Sequence, residues 1–146
     1  MEPDRTHRPH PSAGTACLCG LSADGRRVLA YGHCCGRYLL HWDVPAPHAE
    51  ALMRSRYTAF VLARRDYLLA TWHVRTRPPV LALEPGGPWL GLEVRGHRVD
   101  AHDPARAEVE FVARRRDATG RAYRLHERSR FVRENGRWYY VDGDLL

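Results

Sequence analysis

The spacing of apolar positions changes period along the chain. After Pro45 and Pro47, the segment AEALMRSRYTAFVLAR places apolar residues at helical intervals. Prolines at a helix entrance are tolerated because first-turn amides have no intrahelical partner. The pattern predicts a helix from about His48 to Arg64. At about 100° per residue, Ala49, Leu52, Met53, Phe60 and Ala63 form one stripe with Arg56 in its middle, whereas Arg54 and Thr58 fall on the other side. Asp66 is placed to cap a second, short helix carrying Tyr67, Leu68, Leu69 and Trp72, which Pro78 and Pro79 end. Beyond these prolines the period becomes two. WLGLEV from Trp89, AEVEFVARR from Ala107, YRLHERSRFVR from Tyr123 and RWYYVDG from Arg137 have the alternation and the branched and aromatic content of strands. Asp117 to Gly120 and Glu134 to Gly136 are the predicted hairpin turns, the second with Asn-Gly at its centre. The sum is an α+β domain, with helices packed on one face of an antiparallel sheet. There is no internal repeat.

The third predicted strand carries an unusual inner face. Tyr123, Leu125, Glu127, Ser129 and Phe131 share one side, and Arg124, His126, Arg128 and Arg130 share the other. The first set faces inward, which puts Glu127 and Ser129 among aromatic residues, just as the helix puts Arg56 on its apolar side. Burying either charge alone costs on the order of several kcal/mol, so Arg56 and Glu127 are expected to meet inside the fold. Ser129, Thr71, Tyr57 and Trp72 are the expected neighbours. The plainest role for such a pair is to hold helix to sheet. The functional alternative is the polar floor of a ligand pocket, in which Glu127 as base and Tyr57 or His73 as donor would be the catalytic arrangement. No specific catalytic motif surrounds these residues, so none is assigned a catalytic role.

A length of 146 residues suits one domain with a small appendage. The net charge of +6 favours acidic partners only weakly, because all 23 basic residues are Arg and the chain has no Lys, Ile or Gln, the mark of a coding bias. Arg124, Arg128 and Arg130, extended by Arg114 to Arg116, are the one stretch from which a nucleic-acid surface could be built, and most such faces are simply solvated. The opening MEPDRTHRPHPSAGTA is polar and lacks the apolar run of a signal peptide, so residues 1–16 are expected to form a disordered tail. No window approaches the roughly eighteen apolar residues of a membrane span. The expected setting is the cytoplasm, where disulfides are disfavoured.

That compartment sharpens the meaning of the cysteines. All four lie between residues 17 and 35, as Cys17, Cys19, Cys34 and Cys35. In an extended segment Cys17 and Cys19 point to the same side, and Gly20 lets the chain turn away. Cys34 and Cys35 converge only if the backbone turns there, as at the opening of a helix. Four thiolates match the closed tetrahedral shell of structural zinc, which leaves no position for a reactive water. The competing readings are a redox pair, a strained vicinal disulfide and incidental buried thiols. His33 and His41 are alternatives for one ligand position. Arg26, Arg27 and Arg37 can offset the excess negative charge of four thiolates around one divalent ion.

The pattern C-x-C-G followed by Y-x-x-C-C (Cys17, Cys19, Gly20, Tyr31, Cys34, Cys35) resembles the SEC-C motif, a small zinc knuckle found in the SecA translocation motor and other bacterial proteins. Fourteen residues separate Cys19 from Cys34, more than the compact motif usually has, with Ser22, Asp24 and Gly25 marking an extra turn. With LMRSRYTAF, YLLATWH, WLGLEV, EFVAR and ERSRFVRENGRWYYVDG, the whole resembles the YchJ-like bacterial family. The resemblance implies a zinc knuckle over residues 17–44 and a nuclear transport factor two-like domain over 45–146, in which a curved sheet wraps against helices to form a cone. Many members carry a second SEC-C motif at the C-terminus, which this sequence does not show. The resemblance brings a fold and a metal but no defined activity. The first expectation is therefore a non-enzymatic zinc-binding protein whose knuckle presents a surface to a protein or ribosomal partner, by analogy with the SecA knuckle. A small-molecule binder or enzyme using the cone around Glu127 is the second, and an RNA-associated accessory protein the third. Trp138, Tyr139 and Tyr140 are either a homodimer surface or core.

Overall fold

A computed structural model describes residues 8–83 and 87–146. After a 3-10 turn at Tyr31–His33 come three helices, α1 (Gly36–Leu39), α2 (Ala49–Val61) and α3 (Arg65–Ala70). Four strands follow, β1 (Trp89–Val99), β2 (Arg106–Arg116), β3 (Ala122–Glu134) and β4 (Arg137–Leu145). The strands form one antiparallel sheet in the order β1-β2-β3-β4. Register shifts between Trp89 and Gly91, Val94 and Gly96, and Arg130 and Phe131 interrupt the ladders, and such bulges bend a sheet. The β3–β4 turn forms as expected, with Asn135 and Gly136 both at positive φ, as a two-residue hairpin of matching twist requires.

The long helix starts where predicted, with the His48 side chain accepting from the Ala51 amide at 3.1 Å. It stops at Val61 rather than Arg64. The Ala63 amide donates to the Phe60 carbonyl and the Arg64 amide to the Ala59 carbonyl, which is the pairing of a Schellman stop. Ala63 takes the left-handed position with φ 56, where glycine is usual. This reversal lets α3 restart at once, so Arg64 and not Asp66 is the N-cap residue, without a side-chain cap, and Asp66 lies in the first turn. The second helix also ends earlier than expected, at Ala70. Thr71 to His73 leave it to bond with β4: the Tyr140 amide donates to the Thr71 carbonyl at 2.8 Å and the His73 amide to the Tyr140 carbonyl at 2.7 Å. Pro78 and Pro79 lie beyond this exchange.

Helix α2 is covered on both sides. Leu52, Met53 and Arg56 are buried as the stripe predicts, but Thr58, expected on the outer side, is fully buried too. The reason is the cysteine-bearing segment, whose Cys17, Cys19, Tyr31, Cys34 and Cys35 join α2, β2, Phe131 and Trp138 in a single apolar core. The tail expected over residues 1–16 is bonded from Arg8 onward. The Arg8 amide donates to the Leu62 carbonyl at 3.0 Å, the Tyr31 amide to the Thr15 carbonyl at 2.7 Å, and the buried Tyr31 hydroxyl is hydrogen-bonded to His10 Nδ1 at 2.7 Å. Residues 1–7 lie outside the described residues. Among the described residues no helix is long and apolar enough to cross a membrane.

Candidate metal centre and cone cavity

The cysteines come together because two separate backbone devices aim at one point. The Cys17 amide donates to the Leu29 carbonyl, and the Gly20 amide to the Cys17 carbonyl, with Gly20 at φ 75 turning the chain away. Cys35 is the N-cap residue of α1. Gly36 is required there, since a Cβ would lie 2.7 Å from the Tyr31 carbonyl oxygen. The intervening residues form a hairpin closed by Asp24, whose carboxylate accepts from the Arg26 and Arg27 amides at 2.8 and 2.9 Å and from the Ser22 hydroxyl at 3.1 Å. The extra loop is thus self-contained and leaves the sulfurs undisturbed.

All four sulfurs are buried, unbridged and within 4.8 Å of one another, with Cys19 and Cys34 at 3.5 Å. Tetrahedral ligands at zinc–sulfur distance are separated by about 3.8 Å, so the donor set fits a four-coordinate thiophilic ion. His33 and His41 are exposed and stand outside the cluster. Hydrogen bonding from Cys19, then Cys34 and Cys35, holds the Cys17 thiol far below its ordinary value, while hydrogen bonds to Cys17 and Cys19 push Cys34 up. Arg37 Nε reaches the Cys34 carbonyl at 3.4 Å. The cation that sequence reasoning missed is Arg54. Its Nη1 donates to the Cys19 carbonyl at 3.0 Å and its Nε to Glu50 at 2.9 Å. The Glu50–Arg54 spacing of one helical turn was the available signal.

Between α2 and the sheet lies an open cavity of about 650 Å³. Arg56, Tyr57, Trp72, Glu127 and Ser129 line it, whereas Thr71 and His73 do not. His73 instead bonds Glu134 through Nε2 at 2.9 Å, so it is no candidate donor to the cavity. Thr71 stands behind Arg56: Arg56 Nη1 donates to its hydroxyl at 2.7 Å and to the Leu68 carbonyl at 2.8 Å. The expected Arg56–Glu127 ion pair does not form. The guanidinium is flanked by the rings of Trp72 and Tyr140, at 5.3 and 4.6 Å from their centroids, and is held at the helix end by Nη1. Burial lowers its pKa to about 10, so it remains charged at neutral pH. Glu127 meets the Tyr140 hydroxyl at 3.5 Å, and burial pushes its carboxyl above the ordinary value. Tyr57 packs edge-on against Trp89 at 5.7 Å, and burial takes its hydroxyl up to about 12. Trp89, Phe111 and Arg115 also line the cavity. They were legible from the alternation of β2 and β1, to which the inner-face argument was not extended. Of the aromatic run, Trp138 is core and Tyr140 is cavity wall.

Three of the outer arginines have acidic neighbours. Arg128 bonds Glu110 at 3.2 Å, Arg130 bonds Asp142 and Asp144, and Arg114 lies 3.9 Å from Glu93. Acidic residues on neighbouring strands thus offset part of the basic face.

A family model described as YchJ, middle NTF2-like domain, matches residues 48–143. The chain belongs to the YchJ-like family. A YchJ-like relative, the UPF0225 protein of Polaromonas naphthalenivorans, is 62% identical over 136 residues, covering 89% of this chain and 97% of its own. The UPF0225 protein of Methylibium petroleiphilum is 56% identical over 148 residues, covering 99% and 96%. Among solved structures, the solution structure of a SEC-C motif containing protein from Rhodopseudomonas palustris is similar with a TM-score of 0.73 and 33% identity, covering 90% of this chain and 99% of that one. The crystal structure of a SEC-C motif containing protein from Psychrobacter arcticus has a TM-score of 0.72 at 28% identity, covering 92% and 84%. The YchJ-like chain thus has both expected parts, the cysteine knuckle and the nuclear transport factor two-like domain, and its knuckle is a metal-binding module.

Proposed function

We propose that this protein is a non-enzymatic small-molecule binder, in which a structural zinc ion held by Cys17, Cys19, Cys34 and Cys35 folds the segment that covers the outer side of α2. The observation that carries the reading is the open cavity reaching Arg56 and Glu127. A core filled by side chains would have removed it. Its volume falls within the roughly 300–1,000 Å³ of small-molecule sites, and it combines apolar walls with few polar groups, as such sites do. A non-enzymatic role is supported by the surroundings of Glu127, where the Tyr140 hydroxyl at 3.5 Å and Ser129 are side-chain neighbours and, among the described residues, no imidazole lines the cavity. Zinc is supported by the all-sulfur donor set, and the closed shell gives it a folding role rather than Lewis-acid chemistry. Packed free thiols also suit a reducing cytoplasm.

Native mass spectrometry of the purified protein tests both parts. One zinc per chain is expected, lost in Cys17→Ser. A retained small molecule is expected as well, lost in Leu125→Trp, which fills the cavity while keeping the metal. Folded protein that neither retains a small molecule nor takes one up from a metabolite extract overturns the binding role.

A second reading, a protein-docking knuckle with a ribosomal or other protein partner, is supported by Leu18, Val28, Leu40, Trp42 and Val44, which stay exposed on or beside the knuckle. The RNA-associated reading loses support from the acidic partners of Arg114, Arg128 and Arg130.

A further inference from the structure

We infer that the cone selects anionic ligands: a small, apolar molecule with an aromatic body and one carboxylate or sulfonate-like group, seated with that group on Arg56. The inference rests on the ligand-binding role proposed above and adds the chemical class.

Arg56 is 5% exposed, and burying a guanidinium is costly unless an anion or a full set of acceptors compensates it. Here the compensation is incomplete. Among the described residues, both of its hydrogen bonds leave from Nη1, to the Leu68 carbonyl and the Thr71 hydroxyl, and none offers a carboxylate within ion-pair distance. Its Nε and Nη2 edge is therefore available on a group that lines the cavity. The rings of Trp72 and Tyr140 flank the guanidinium and fix its plane, which suits it to recognise a planar or branched oxyanion through paired donors.

Glu127 is the one carboxylate among the described lining residues and the evident competitor for this role. It stands too far off to pair with Arg56 and turns toward the Tyr140 hydroxyl; burial raises its pKa, and in its ionised form it repels an anion. Arg8 and Arg115 also line the cavity, so among the described lining residues the remaining charged groups are cationic. The rest of the wall, including Phe60, Trp89, Phe111 and Phe131, offers ring faces and edges to a flat apolar body.

The test compares two fluorescent probes with the same ring systems: anilinonaphthalene sulfonate, an anion, and phenylnaphthylamine, its neutral counterpart. Binding is read by titration on zinc-loaded protein whose near-ultraviolet circular dichroism confirms native packing. The sulfonate is expected to bind at one site per chain, about tenfold or more tightly than the neutral probe, which corresponds to about 1.4 kcal/mol. Arg56→Met should bring the ratio close to one. Because that variant also frees the Leu68 carbonyl and can lose its fold, Glu127→Gln provides an independent arm. Removing the competing carboxylate should tighten the sulfonate several-fold and leave the neutral probe unchanged. Equal affinities in the wild-type protein, a ratio that folded Arg56→Met preserves, or a Glu127→Gln response shared by both probes would each overturn anion selection while leaving the cavity a binding site. Failure of both probes to bind native protein would remove the binding role itself, and with it this inference.

Discussion

A buried guanidinium and a half-buried carboxyl share the cavity without neutralising each other, and this gives each a distinct signature. For Glu127 burial is the largest influence and raises the pKa above 4.5, so the folded state holds the proton more tightly than the unfolded chain does. Stability from this group is then greatest at low pH and is lost as pH rises through the folded value. Glu127→Gln, which keeps the shape and cannot ionise, should melt higher than the wild-type protein by a margin that grows between about pH 4 and about pH 7. Thermal unfolding across that range checks it, and a margin that shrank with rising pH would mean the carboxylate is stabilised in place. The inward aim of Glu127 and Ser129 was legible from the alternation of β3, and that of Arg56 from the helical stripe. Their separation was not. Periodicity assigns a face but not a reach, and it gave no warning that two aromatic rings and a helix-end carbonyl would hold the guanidinium short of the carboxylate.

At the scale of elements, the strands and turns were the most readable part, because a period of two together with Asn-Gly leaves few alternatives. The helix ends were misjudged where backbone bonding overrode composition. Ala63 accepts a left-handed conformation that glycine usually fills, and Thr71 to His73 exchange helix for a β4 edge that has no local signature. The other side of α2, on which Thr58 and Arg54 fall, is covered by the cysteine-bearing segment, a packing that no local pattern signals. That segment is met there by Arg54. Its charge is spent on the Cys19 carbonyl and Glu50. Arg54→Ala should therefore destabilise the protein by about 1.5–3 kcal/mol, the range for hydrogen bonds to charged groups. The same variant should release zinc faster to a chromogenic chelator. Urea unfolding and metal-transfer kinetics measure the two effects, and an unchanged release rate would show that the contact does not brace the metal centre.

At the scale of the whole molecule, the knuckle and the cone are joined through one core rather than linked as independent parts. Removing the metal should then raise amide hydrogen exchange over residues 17–39 by about tenfold or more and reach into α2, while the β2–β3 ladder keeps its protection. Exchange confined to the knuckle would show that the two parts are energetically separate. One consequence follows from the Asp24 hairpin between the two thiol pairs. Its arms meet at an isolated bridge between Ser22 and Val28, and residues added beyond that pair leave the register of the arms unchanged. This tip is accordingly a natural place for insertion: an affinity epitope or reporter grafted beside Gly25 would ride on the surface, leaving the coordination sphere at its base intact.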